Sequence, residues 1–405
     1  MKRLKSVPII FLLFLLSCLI SFSSCSYDKQ KDNQSELNKD EQNSTYDTNV
    51  SGAGNSDTTV ENCLEQMTLD EKIYQMFFVT PESLTGVGQV ITAGKTTQEA
   101  LVRYPVGGII YFSTNLQDRK QIINMTHKSQ EFSKIPLFIG VDEEGGRVTR
   151  LGNNSSTGVT QFSSMQSVGE THDPTQAYAV GETIGKEISD LGFNVDFAPV
   201  ADVLINSNNT EIGDRSFGSD PVEVSEMVKN EVIGLQNNNI SAILKHFPGH
   251  GSTVTNSHIN YSESQRTIDE LRNCEFLPFK AGIDAKADFV LLSHATYVNV
   301  VDEKCPASLS KEIVTDYLLN ELGFQGIVIT DSFSMGAITN NYTTEVAAVK
   351  AVNAGVDMIL MPNSISEAFS GIKNAVLSGE LSEERIDKSV LKILKVKHKH
   401  GMLKN

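Results

Sequence analysis

The sequence predicts an α/β fold, a (β/α)8 TIM barrel that forms a single catalytic domain. Short apolar segments rich in β-branched and aromatic residues recur along the chain, and stretches with helical periodicity separate them. Near-continuous apolar strands that alternate with helices are typical of a parallel sheet covered on both faces. Eight such segments in a chain of 405 residues fit a (β/α)8 barrel with long loops.

The eight predicted strands share this apolar composition. In chain order they are Tyr74–Val79, Gly108–Phe112, Leu137–Val141, Phe193–Pro199, Ala242–Phe247, Phe289–Ser293, Ile327–Thr330 and Met358–Met361. An open, doubly wound sheet is the alternative. The glycine-rich phosphate turn expected after the first strand of such a sheet is missing, which favours the barrel.

Helical periodicity fills several of the segments between the strands. The clearest stretches are Thr175–Leu191, Val222–Asn237, Leu271–Ala285 and Lys311–Leu322. A C-terminal helix is predicted from Ser382 to about His398, after a Leu-Ser-Glu-Glu start that resembles a helix cap. Its last turn is basic, and we interpret this as a complement to the helix macrodipole (Lys395, Lys397, His398, Lys399, His400).

Residues 1–25 predict a targeting segment. Basic residues precede an apolar run, Val7–Phe22, that is short for a full membrane span. The segment resembles a bacterial lipoprotein signal, which implies lipidation at Cys25, with Cys18 as a second candidate. Residues 26–60 are almost wholly polar, so we predict a disordered tether. Residues 61–405 form the predicted catalytic domain, which we expect to be extracytoplasmic and lipid-anchored to the cell membrane, with no second domain after the C-terminal helix.

Charge and cysteine content exclude some classes of protein. The formal net charge of −16 disfavours a nucleic-acid partner, which would need clustered Lys and Arg, and is typical of a soluble acidic enzyme. Beyond Cys18 and Cys25, only Cys63, Cys274 and Cys305 remain. An odd number of widely spaced cysteines predicts buried thiols rather than a disulfide framework.

Polar and charged residues follow several predicted strands. The functional groups of barrel enzymes gather at the carboxyl ends of the strands. The residues at these ends are Asp142 to Arg147 with Arg150 after the third strand, Asp202 and Ile212 to Gly218 after the fourth, Lys245 and His246 at the fifth, His294 at the sixth, and Asp331 at the seventh. Their coincidence at one rim predicts an active site.

Glycoside hydrolysis is a reaction that such a set can perform. It needs a carboxylate below the anomeric carbon and a proton donor beside the leaving oxygen. Asp331 directly follows a buried strand, so it suits a rigid nucleophile. His258, in a polar loop, suits an acid/base because imidazole titrates near neutral pH.

Four motifs resemble glycoside hydrolase family 3, and more narrowly its β-N-acetylglucosaminidase branch. They are Asp142-Glu-Glu-Gly-Gly-Arg-Val, Gly213-Asp-Arg-Ser-Phe-Gly, Lys245-His-Phe-Pro-Gly-His-Gly, and Thr330-Asp-Ser with Met335. The resemblance covers about residues 60–400. It implies a retaining exo-hydrolase of peptidoglycan fragments, with Asp331 as nucleophile and His258 as acid/base. It also implies that Asp142, Arg150, Arg215, Lys245 and His246 bind the N-acetylhexosamine, with Asp202 and His294 as supporting residues and no cofactor or metal.

The sequence departs from that branch at one position. Where the family has an aspartate two residues before the catalytic histidine, this chain has Asn256. An amide can hydrogen-bond the imidazole but carries no charge to stabilise the imidazolium, so we expect a lower pKa for His258 than in relatives and slower turnover. The hypothesis requires Asn256→Asp to raise activity or to move the acid–base limb of the pH–rate profile.

Three alternatives stay open at this point. A zinc hydrolase would use His246, His250, His258 and His294 with Asp331, although Lys245 and two arginines would place positive charge beside the metal. A phosphorylase is the second, because a histidine acid repels phosphate less than a carboxylate does. The third is a catalytically weak lipoprotein that binds wall glycans. For the glycosidase itself we expect a carbohydrate substrate, N-acetylglucosaminides and muropeptides, and a monomeric protein.

Overall fold

Eight parallel strands form a closed barrel in the computed structural model, which describes residues 53–253, 262–301 and 305–403. Numbered in chain order, they are β1 Phe77–Val79, β2 Gly108–Ile110, β3 Phe138–Val141, β4 Val195–Asp196, β5 Ser241–Phe247, β6 Phe289–Leu292, β7 Ile327–Thr330 and β8 Ile359–Leu360. Each strand pairs with its sequence neighbours, β8 pairs with β1, and a bridge between Ile329 and Met358 closes the ring. The barrel prediction is confirmed, and the open sheet is wrong.

Helices surround the barrel. The α-helices are Ala53–Glu65, Leu69–Gln75, Pro81–Thr85, Lys95–Arg103, Arg119–Phe132, Met165–Gly169, Pro174–Ser189, Pro221–Asn237, Ile268–Asn273, Phe276–Asp284, Gly336–Thr339, Thr344–Ala354, Ile365–Ser378 and Glu383–Lys399. Short 3-10 turns cover Ser113–Asn115, Gly213–Arg215 and Ala307–Leu309, and Glu312–Glu321 is a π-helix. Two short strand pairs lie outside the barrel, Glu143–Gly145 with Val148–Thr149 and Glu263–Thr267 with Thr296–Asn299.

Aromatic side chains fill the barrel interior. The Phe78 ring lies 5.3 Å from that of Phe197, and Phe138 lies 5.2 Å from Phe289, both edge-to-face. Gly140 on β3 makes room for this packing, because a Cβ atom there would come within 2.8 Å of the Phe197 ring. Close-packed interiors tolerate such overlap poorly, so a larger residue at Gly140 would force the rings apart.

The C-terminal helix contributes a buried amine to the core. Lys397 is fully buried, donates to Gln75 Oε1 at 2.6 Å and lies 5.0 Å from the centre of the Phe138 ring. Burial lowers the pKa of Lys397 to about 7. Its role is therefore different from the macrodipole complement that we predicted. Whereas Lys397 contacts a neutral amide, Lys399 and His400 each contact the Asp288 carboxylate at 2.7 Å.

The N-terminal boundary differs from the prediction. The helix Ala53–Glu65 begins inside the segment that we predicted as tether, and Val60 is 1% exposed against the hydrophobic core. Only Ala53 and Val60 are apolar within residues 53–60, which is too weak a signal to predict a helix that tertiary packing stabilises. Among the three later cysteines only Cys305 is buried, whereas Cys63 and Cys274 are half-buried, and all three are free thiols. None of the described helices is long and apolar enough to cross a membrane.

Glu231 is a buried acid on the helix Pro221–Asn237. Its side chain is 1% exposed, and neither carboxyl oxygen has a hydrogen-bond partner among the described residues. Burial raises the pKa of Glu231 to about 8, and the nearby Glu144 carboxylate adds to the shift while Lys245 opposes it. An unfolded glutamate titrates near pH ~4.3. Folding therefore becomes less favourable as pH rises from that value towards 8, because the unfolded chain releases this proton first.

We expect Glu231→Gln to stabilise the protein in a pH-dependent way. The amide has the same shape and stays neutral, so the gain in unfolding free energy should be larger at pH 8 than at pH 5 by about 3 kcal/mol. Urea unfolding at both pH values measures it. A gain that is the same at both values would contradict the raised pKa.

Candidate active site

A cavity of about 300 Å³ opens at the carboxyl ends of the barrel strands. All five predicted substrate-binding residues line it, together with the predicted nucleophile: Asp142, Arg150, Arg215, Lys245, His246 and Asp331. Apolar side chains complete the wall, among them Phe112, Phe197 and Met335. The cavity combines apolar walls with a few convergent polar groups, which is typical of small-ligand sites.

Asp142 lies between two cations. Arg150 Nη2 donates to one of its oxygens at 3.0 Å, and Lys245 Nζ donates to the other at 3.2 Å. The Arg150 guanidinium also lies 5.4 Å from the centre of the Phe112 ring. A carboxylate flanked by cations in this way can accept hydrogen bonds from sugar hydroxyls, and the cations can donate to them.

Glu144 forms ion pairs with two cations of the site, Arg215 and Lys245. Arg215 donates to both of its oxygens, at 2.8 and 2.7 Å, and Lys245 Nζ lies 2.5 Å from Oε1. Burial favours a neutral carboxyl, but the charges of Arg215 and Lys245 outweigh it and lower the pKa of Glu144. Likewise, burial favours a neutral amine, but Glu144 and Asp142 outweigh it and raise the pKa of Lys245. Glu144 therefore keeps Lys245 charged in a buried site.

Alternation along the chain explains why Glu144 belongs to the site and Glu143 does not. Successive side chains of an extended segment point to opposite sides. Asp142 and Glu144 line the cavity, whereas the Glu143 carboxylate accepts three backbone N–H groups, those of Arg150, Leu151 and Gly152. Burial raises the pKa of Glu143 to about 7 against the effect of these donors. Glu144 is a site residue that the sequence analysis does not predict, although its spacing of two residues from Asp142 could have identified it.

Asp202 contacts two histidines, His246 near the end of β5 and His250 just after it. Its Oδ2 accepts from His246 Nδ1 at 2.7 Å, and its Oδ1 accepts from the His250 backbone N–H at 2.5 Å. Burial would favour a protonated Asp202, but the ring of His246 outweighs it and lowers the pKa of Asp202. Because the ionised carboxylate only accepts, Nδ1 of His246 carries a proton and Nε2 is the ring nitrogen left for a ligand. Asp202 thus contacts His246, which lines the cavity, and the backbone of His250.

His294 is placed behind the loop that carries Asp331. It is fully buried, does not line the cavity, and donates from Nε2 to the Ser332 carbonyl at 3.0 Å. The Ser308 hydroxyl binds its Nδ1 at 2.8 Å, and burial lowers the pKa of His294. His294, which we named as a supporting residue, therefore does not line the cavity, and its neutral ring instead holds the Ser332 carbonyl.

Asp331 follows β7 directly and faces the cavity. Its backbone N–H donates to the Leu292 carbonyl at 2.9 Å, and its Oδ1 accepts from the Ser332 backbone N–H at 2.7 Å. These bonds fix the residue to the ends of β6 and β7. A carboxylate fixed in this way, beside a sugar-sized cavity, can attack an anomeric carbon.

Some predicted residues fall outside the described part of the chain. These are His258, the predicted acid/base, its neighbour Asn256, and the lipidation candidates Cys18 and Cys25. Within residues 53–253, 262–301 and 305–403, no three or more His, Cys, Asp or Glu side chains are grouped as a metal site would require.

Comparisons with known proteins agree on one family. The family model described as "Glycosyl hydrolase family 3 N terminal domain" matches residues 68–396. Beta-hexosaminidase A of Pseudoalteromonas piscicida is 34% identical over 330 residues, which are 74% of this chain and 54% of that protein. The chain thus spans about half the length of this relative. A beta-hexosaminidase of Stenotrophomonas maltophilia is 33% identical over 67% of this chain and 82% of its own length. A solved family 3 beta-N-acetylglucosaminidase from Paenibacillus superposes with a TM-score of 0.78 at 34% identity, covering 84% of this chain and 64% of that structure.

Proposed function

The chain belongs to glycosyl hydrolase family 3, and we propose that it is a retaining exo-β-N-acetylhexosaminidase acting on peptidoglycan fragments. The observation that carries the proposal is that Asp331 shares one cavity with Asp142, Lys245, Arg215 and His246. A nucleophilic carboxylate and a charged hydrogen-bonding set are thereby available to one sugar. The names of the two beta-hexosaminidases and of the Paenibacillus enzyme support an N-acetylhexosamine as that sugar.

The proposed reaction has two displacements. In the first, an Asp331 oxygen bonds to the anomeric carbon, the bond from that carbon to the aglycone oxygen breaks, and His258 protonates the leaving oxygen. In the second, His258 takes a proton from water, the water oxygen bonds to the anomeric carbon, and the Asp331 carboxylate is released. Two inversions at one carbon retain the β configuration.

The binding set would hold the sugar through its hydroxyl and acetamido groups. Hydrogen bonds to ionised partners are short and strong, and both Asp142 and Lys245 are held in place by their own partners in the site. Because these partners are preformed, little ordering is left for the substrate to induce, which favours affinity.

We also propose that the protein acts outside the cytoplasm, anchored to the membrane through a lipid on Cys25. The support is the basic and apolar start of the sequence, with small residues before the cysteine. Metabolic labelling of cells with a fatty acid, comparing the natural protein with Cys25→Ala and Cys18→Ala, assigns the lipidated residue.

Turnover of a chromogenic N-acetyl-β-glucosaminide by the purified protein tests the proposed activity. The matched β-glucoside is the control, and the assay is run with and without inorganic phosphate and with and without a chelator. The proposal expects free N-acetylglucosamine and no dependence on phosphate or chelator. Release of sugar 1-phosphate would indicate a phosphorylase. Activity that the chelator removes and zinc restores would indicate a metal hydrolase. Binding of the sugar without turnover would indicate a glycan-binding protein.

A further inference from the structure

Arg147 reaches from one active-site loop to another. It lies in the turn between the strands Glu143–Gly145 and Val148–Thr149, where Gly145 and Gly146 have φ values of 80° and 61°. These left-handed conformations suit glycine and allow a tight reversal of the chain. Arg147 is thereby presented beside the loop that follows β4, although it is not among the residues that line the cavity.

A single guanidinium organises that loop. Arg147 Nη2 lies within 2.8, 2.7 and 3.2 Å of the carbonyl oxygens of Thr210, Glu211 and Ile212, and Nε donates to Asp214 Oδ1 at 2.8 Å. Three successive carbonyls that face one cation constrain the backbone more than one ion pair would. The pair with Asp214 is exposed, with side chains 45% and 47% accessible, so it should contribute little on its own.

The loop that Arg147 holds supplies part of the cavity wall. We define residues 209–216 as the substrate loop, because Glu211, Ile212 and Arg215 within it all line the cavity. Arg215 also donates from Nη1 to the Glu211 carbonyl at 3.0 Å, so the same carbonyl connects Arg147 and Arg215.

Side-chain contacts, rather than regular secondary structure, fix most of the substrate loop. Its regular element is the 3-10 turn Gly213–Arg215. From the inner side, Asn209 Oδ1 accepts from the backbone N–H groups of Glu211 and Ile212, and Asn209 Nδ2 donates to the His250 carbonyl at 2.8 Å. The buried Asn209 and the exposed Arg147 therefore both hold this backbone, and loss of either should let it move.

We infer that Arg147 is a positioning residue that sets substrate affinity by fixing the substrate loop. The expected effect on kinetics rests on the proposed function, in which Arg215 binds the sugar. A displaced Arg215 would weaken binding, whereas Asp331, fixed to β6 and β7, would keep its place. The effect should thus fall on KM more than on kcat.

Arg147→Ala, Arg147→Lys and Asp214→Asn form the test series. We expect Arg147→Ala to raise KM about tenfold with a much smaller change in kcat, since misplaced binding groups lose affinity steeply. Arg147→Lys should recover part of the lost affinity, because the lysine ammonium keeps the positive charge. The recovery should be incomplete, because an ammonium lacks the planar fork of N–H donors of a guanidinium. Asp214→Asn leaves the three carbonyl contacts intact and should change KM little.

Hydrogen exchange makes the test independent of turnover. Arg272 is a matched control, because its side chain is 43% exposed and it binds the Glu321 carboxylate through Nε and Nη2. Amides of residues 209–216 should exchange faster in Arg147→Ala than in Arg272→Ala. Unchanged exchange in that segment, or equal KM values for the two variants, would overturn the inference. Absence of turnover in the natural protein would overturn only the proposed function.

Discussion

Asp331→Asn is expected to lower kcat/KM for a chromogenic N-acetyl-β-hexosaminide by about 10⁴-fold or more, because an amide cannot form the glycosyl ester. The fold should survive the change. Asparagine keeps the oxygen that accepts from the Ser332 backbone N–H, and the backbone bond to the Leu292 carbonyl involves no side chain. A thermal melt of the variant beside the natural protein checks that only catalysis is lost.

Asp284→Asn is the matched control for this prediction. Asp284 is an exposed carboxylate on the helix Phe276–Asp284, paired with Lys280, so the same chemical change there should leave activity intact. A fluorinated N-acetylsugar that traps the intermediate should label the peptide containing Asp331. Retained activity in Asp331→Asn, or a label on another residue, would remove Asp331 from the role of nucleophile.

The barrel was predictable because its strands are buried on both faces. Each strand is then a short apolar run bounded by polar residues, and a segment such as Phe289–Leu292 contrasts sharply with its neighbours. The position of the active site was predictable as well, because the carboxyl ends of parallel strands lie at the same edge of the sheet. For this reason Asp142, Lys245 and Asp331 could be grouped before any distance was known.

Features that depend on tertiary contacts were not predictable in the same way. The stretch Leu271–Ala285 was predicted as one helix but forms two, Ile268–Asn273 and Phe276–Asp284. Pro278 is tolerated in the first turn of the second helix and would break a continuous one. Between the two helices, the buried Glu275 carboxylate turns to accept from Arg266 at 2.8 and 2.9 Å, a contact that spacing does not reveal.

Arg147 and Glu144 illustrate the same limit within the site. Both lie in the motif that begins at Asp142, yet their roles depend on partners far along the chain. Arg147 contacts the substrate loop, and Glu144 contacts Arg215 and Lys245. A sequence shows which residue types are present near a strand end. It does not show which of them contact substrate and which hold the contacting groups in place.

Glu144→Gln is the second large change that we expect. It should lower the unfolding free energy by about 3–5 kcal/mol, because removing one partner leaves buried charges uncompensated. The Lys245 and Arg215 side chains are only 4% and 11% exposed, and Glu144 itself is 1% exposed. Burial would then act on Lys245 with less opposition and favour its neutral form. Substrate affinity should fall as well, since the charge on Lys245 and the position of Arg215 both depend on this carboxylate.

The double variant Glu144→Gln/Lys245→Met distinguishes this electrostatic cause from simple loss of packing. Replacing both members of a buried pair removes the uncompensated amine, so the double variant should be more stable than Glu144→Gln alone. Its activity should remain low, because Lys245 is also lost from the binding set. Urea unfolding of the natural protein, both single variants and the double variant gives the coupling energy between the two positions. Additive losses, with the double variant the least stable of the four, would mean that Glu144 acts through its shape and not through its charge.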